Sequence, residues 1–131
     1  MKFTLYLSLL AVAHSVFAAQ QCNLYVDSST DSELFAFQDG GKTVFDKRTG
    51  LLWQRCLVGQ TFNANATADN FSDDSCDGTP THFVRDDALV YASSQSDLRL
   101  PNIKELGSIV ELQCRLPAIN PAVFPNQPNW G

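Results

Sequence analysis

Four cysteines, a single histidine beyond the N-terminal apolar run and a stretch dense in aspartate are the groups of this 131-residue chain with chemistry to offer. A cysteine nucleophile must be unpaired and of lowered pKa. Zinc sites take cysteines at spacings of roughly two to four residues, and Cys22, Cys56, Cys76 and Cys114 are nowhere so close. An even count in a small exported domain reads instead as disulfides. Sequence leaves the connectivity open. The favoured pairing is Cys56–Cys76, closing a polar excursion onto its base, and Cys22–Cys114, tying an N-terminal arm to a helix. Loop-closure entropy gives the first link about 3 kcal/mol and the second about 4–5 kcal/mol.

A hydrolytic triad needs a base beside its nucleophile. His82 stands alone next to a helix start and reads as a surface or packing residue. The chain is therefore read as a non-enzyme without a cofactor. Asp73, Ser75, Asp77 and Gly78 match the first half of an EF-hand loop, but Val84 replaces the bidentate glutamate that closes one. Asp69, Asp73, Asp74 and Asp77 remain candidates for a different calcium site, weighed against a solvated acidic loop. Carbohydrate contacts call for exposed rings with flanking amides. Phe62, Asn63, Asn65, Asn70 and Phe71 are the candidates here. Asn65-Ala66-Thr67 and Asn70-Phe71-Ser72 also match the glycosylation sequon. Arg99 either holds an anion or forks onto Asp97 or Glu105, and the structural role is favoured.

Met1 to Ala18 has a lysine at its start, an apolar run from Phe3 to Ala13, and Val16-Phe17-Ala18 where a signal peptidase would read. The run is too short to span a bilayer, which takes roughly 20 apolar residues. Residues 1–18 are thus read as a secretory signal, and the product as secreted, periplasmic or displayed at the cell surface. Removing Lys2 with the leader leaves eight basic against fourteen acidic residues, a net charge of −6. That sign disfavours general binding of nucleic acid. Nothing after the leader approaches membrane-spanning length.

The remaining chain is one domain's worth, preceded by a polar arm over residues 19–34. Phe35-Ala36-Phe37, the turn Asp39-Gly40-Gly41, and Thr43-Val44-Phe45 predict strand, turn, strand. Asp46 to Gly50 predicts a second turn, leading into Leu51 to Arg55 with Trp53 as a buried anchor. Val58 to Pro80 reads as one long loop. A helix is expected after Thr81 as cap, with Val84, Ala88, Tyr91 and Ala92 on one face. A second follows Asn102, with Glu105 completing a capping box and Leu106, Ile109, Val110 and Cys114 forming a stripe. Pro117 to Pro128 should be irregular. The fold class is α+β, a small antiparallel sheet with two helices.

Three blocks occur in order: Thr43 to Cys56, Asp97 to Leu106, and Pro117-Ala118-Ile119-Asn120 with Val123-Phe124-Pro125-Asn126. Together they resemble the Lcl C-terminal domain, a bacterial domain of unknown function named for the end of a collagen-like surface adhesin. The resemblance runs from about Phe37 to Trp130. It implies a C-type-lectin-like fold and an adhesin-type binding role toward polysaccharide or another surface polymer. Leu98 stands where the family has tryptophan, and the glycine-rich approach is shortened to Ser94-Gln95-Ser96. The acidic balance argues against carrying over sulfated-glycan binding. Family members continue with a Trp-Ser-Ser block and closing strands where this chain stops, so an incomplete domain over 35–131 is expected. An open apolar edge would invite a partner chain or an oligomer.

Overall fold

The computed structural model describes residues 20–65 and 70–128. Residues 1–19, which hold the expected secretory signal, Asp69 and the last three positions lie outside the described residues, as does the Ala66-Thr67 part of the first sequon.

Among the described residues, seven short strands and two α-helices form an α+β fold. The central sheet has three antiparallel strands in the order β2 (Phe35–Gln38), β3 (Thr43–Asp46), β4 (Leu51–Gln54). Phe37, Val44 and Trp53 are register partners across it. Both turns form where the sequence places them. Asp39–Gly41 makes a single 3-10 turn between β2 and β3. Between β3 and β4, the Gly50 amide donates to the Asp46 carbonyl at 2.8 Å, and the Asp46 carboxylate accepts from the Arg48 amide at 2.9 Å. Gly50 sits at φ +72, a value that disfavours side chains.

One face of this sheet carries the core. Phe35, Val44, Ile109, Val123 and Phe124 are buried together, with Phe35 edge-on to Phe124 at 6.0 Å. Trp53 is half-buried at the margin of that cluster, rather than its centre. The centre of the polar interior is Arg55, which is 1% exposed.

The N-terminal arm is pinned along its length. β1 (Gln21–Cys22) pairs with β7 (Cys114–Arg115), Cys22 opposite Cys114, and those two cysteines are bonded. Val58 to Pro80 is not one loop. It holds the hairpin β5 (Thr61–Asn63) and β6 (Ser75–Asp77), joined to its base by Cys56–Cys76. Both disulfides follow the favoured pairing.

The helices depart from expectation in detail. Helix α1 (Arg85–Ser94) starts after Val84 with no side-chain cap. Thr81 precedes it in extended chain, its amide donating to the Val58 carbonyl at 2.7 Å. Ala88, Tyr91 and Ala92 are half-buried, but Val84 is 70% exposed. Helix α2 (Ile103–Ser108) has the expected capping box, Asn102 accepting from the amides of Lys104 and Glu105 while Glu105 accepts from Asn102. It ends too early for the expected stripe, because Glu111 and Cys114 are bonded to the arm. Of that set only Ile109 is buried in the core. Asn102→Ala should cost about 1 kcal/mol of stability, read as a lowered urea midpoint at unchanged slope.

Candidate functional site

The disulfide hairpin carried the candidate ligand residues, and its rings are turned to an internal task. The guanidinium of Arg55 lies 4.6 Å from the centroid of Phe37 and 5.6 Å from that of Phe62. Phe71 stacks on Phe37 at 4.6 Å. Two rings, Phe37 and Phe62, flank the cation, and Phe71 backs Phe37. Around its rim, Arg55 Nε donates to the Val123 carbonyl at 2.6 Å, and Nη1 to the Gly41 carbonyl at 2.7 Å. Nη1 also meets the Asp74 carboxylate, and Nη2 donates to the carbonyls of Phe71 and Ala122. Gly41 is needed for this close approach, since a Cβ there would come within 2.9 Å of Asp74 Oδ2.

The amides are committed as well. Asn63 donates to Asp77, and Asn65 to the backbone carbonyl of Asp73. Asn70 caps the 3-10 turn Phe71–Asp73 by accepting from the Ser72 amide. Phe62, Asn63, Asn65, Asn70 and Phe71 thus all take part in internal contacts of the hairpin, the two rings half-buried and the three asparagines exposed. Of the calcium candidates, Asp69 lies outside the described residues. Asp74 is buried on Arg55, and Asp77 accepts from Asn63 and Ser75. Among the described residues no group of three metal-binding side chains gathers. His82 lies exposed on the approach to α1.

A concave feature lies elsewhere. A groove of about 370 Å³ runs between β4 on one side and α1 with the segment 97–101 on the other. Its β4 wall is made by five consecutive residues, Gly50 to Gln54. Successive strand side chains point to opposite faces, so a groove touching every residue follows the strand's edge. β4 is one of the two edge strands of the sheet. The Arg55 amide donates to the Lys42 carbonyl, which sets the alternation of the antiparallel ladder. By that alternation Leu51 and Trp53 bond to β3, while the N–H and C=O of Leu52 and Gln54 face the groove. None of these four backbone groups has a partner among the described residues.

The opposite wall presents Tyr91, Asp97, Leu98 and Leu100, with Arg99 behind. Arg99 forks onto Glu105, its two terminal nitrogens 2.8 and 2.7 Å from the two carboxylate oxygens. This is the structural role expected for it. The hydrogen bonds from Arg99 and the Asn102 amide hold the Glu105 carboxyl down to about 2. Sequence reasoning named Arg99 but not the groove, whose signal was the edge position of β4 and not any motif.

The architecture defines a disulfide-stapled α+β domain, and its two links fit an extracellular domain. No helix among the described residues is long and apolar enough to cross a membrane. Residues 42–131 match the family model of the Lcl C-terminal domain, and the chain belongs to that family. Neither curated proteins nor solved structures return a match.

Proposed function

We propose that this chain is an exported, adhesin-type binding module, carried out of the cell by the leader Met1–Ala18, whose groove along β4 receives an extracellular polymer. Polysaccharide and polypeptide ask different things of such a groove. A sugar wants open ring faces beside amides. Here Tyr91 leans on Phe83 at 5.1 Å, and Trp53 packs on the core. A polypeptide wants backbone donors and acceptors along an apolar trough. β4 supplies them, and Leu52 (57% exposed), Leu98 and Leu100 supply the trough. The observation carrying the reading is the run of five consecutive edge residues lining the groove. It favours a domain completed by a partner chain over a glycan-binding one.

The test immobilises a panel of polysaccharides and extended peptides and measures retention of the secreted protein by surface plasmon resonance. Peptide retention lost in Leu52→Pro, which blocks an edge N–H, is the expected result. Retention on polysaccharide alone, unchanged by that substitution, overturns it. Circular dichroism on the variant checks that the sheet persists.

A further inference from the structure

The groove also carries a charge preference, an inference that rests on the strand-docking reading. Its ionisable lining groups are Asp97, Arg99 and Glu105. Arg99 is engaged at both terminal nitrogens by Glu105, and the groove's unpaired charge is therefore negative, at the exposed carboxylate of Asp97. Gln54, on the same lining, is uncharged. Of the cations beside the lining in sequence, Arg48 lies 3.4 Å from Asp46 and Arg55 is held on Asp74, while Lys104 is exposed one position before Glu105. The chain as a whole is acidic, which favours a cationic partner over an anionic one.

We propose that the partner is an extended polypeptide strand that alternates apolar and basic side chains, pairing its backbone with Leu52 and Gln54 and placing a lysine or arginine against Asp97. The period-two alternation follows from strand geometry. Side chains on one face of the added strand meet Leu52, Leu98 and Leu100, and those on the other face meet water and Asp97. An acidic strand is repelled by the same wall, which gives selectivity as well as attraction. A single exposed carboxylate–ammonium contact of this kind contributes roughly 1 kcal/mol, or about fivefold in affinity at low salt.

The probes are two eight-residue peptides, acetylated and amidated, one alternating valine with lysine and the other valine with glutamate. A third and a fourth repeat the lysine peptide with N-methyl groups on one or the other set of alternate amides, so that each blocks one edge of the strand. Isothermal titration of the secreted protein is expected to rank the lysine peptide at least about fivefold above the glutamate one. Asp97→Asn should shrink that gap to about twofold or less, and raised salt should do likewise. N-methylation on the pairing edge should abolish binding, while methylation on the other edge leaves it intact. Equal affinity for the lysine and glutamate peptides, or a gap that Asp97→Asn leaves unchanged, overturns the charge preference and leaves strand docking standing. Binding indifferent to N-methylation on either edge, or absent for all peptides, sinks the docking reading itself.

Discussion

Arg55→Met is expected to remove most of the stability of this domain, about 4–5 kcal/mol. The substitution strands the buried carboxylate of Asp74 and strips a donor from the carbonyls of Gly41, Phe71, Ala122 and Val123. Each orphaned buried acceptor carries its own desolvation cost. Small domains hold only about 5–15 kcal/mol in total, so the loss should be visible as a collapse of the urea midpoint. Arg55→Lys should fare little better. An ammonium has the charge but not the planar fork that reaches several partners in separate directions. Pairing Arg55→Met with Asp74→Leu tests the mechanism, because removing both charges relieves the stranded carboxylate and should restore part of the stability. A single Arg55→Met variant within about 1 kcal/mol of the parent protein would show that the cation is not the keystone described above.

Glu111 gives the second large effect and a pH dependence. Its carboxylate accepts from the hydroxyls of Ser28, Ser29 and Thr30 and from the amides of Ser29, Thr30 and Gln113. Burial works against the charged form, yet these donors outweigh it and bring the carboxyl from an ordinary 4.5 to about 2. The sign follows from that lowering. Above about 4.5 the group is ionised in both folded and unfolded chains, and its full contribution is present. As the pH falls toward about 2, the unfolded chain takes up the proton first and the contribution is lost. The amount at stake is on the order of 3 kcal/mol. Glu111→Gln should lose about that much at neutral pH, since an amide nitrogen would confront donors. It should also flatten the acid limb of the stability profile. Glu105 is depressed to a similar value, but its partner Arg99 is exposed and its share should fade in high salt. An acid limb that survives Glu111→Gln unchanged at high salt would assign it elsewhere. Amide exchange at Ser29 and Thr30 should accelerate in the variant, marking release of the arm.

Where local rules act alone, the sequence was legible. Asp39-Gly40-Gly41 and Asp46 to Gly50 specify their turns through residues that accept unusual backbone angles. Asn102 and Glu105 specify a helix start because both partners lie within one turn. The Arg99–Glu105 fork spans only six positions. What stayed hidden depends on long-range meetings. Arg55 looks like any surface arginine at the end of a strand until Asp74 and Val123 arrive from distant parts of the chain. The stripe from Leu106 to Cys114 has helical spacing, but a continued helix would have pulled Glu111 off Thr30 and Cys114 off Cys22. Tertiary bonds outweighed the local period. The rings of the hairpin show the same dependence on distant partners. An aromatic residue in a polar loop reads as exposed, whereas Phe62 lies over the Arg55 cation and Phe71 stacks on Phe37.

The link between Cys22 and Cys114, 92 positions apart, encloses nearly the whole described fold in one covalent ring. A protease that nicks this ring once leaves the two pieces tethered and the mass unchanged on a non-reducing gel. The smaller ring closed by Cys56–Cys76 repeats the arrangement inside the larger one. Cleavage within the hairpin therefore leaves the fragments joined twice, and only a reductant sets them apart.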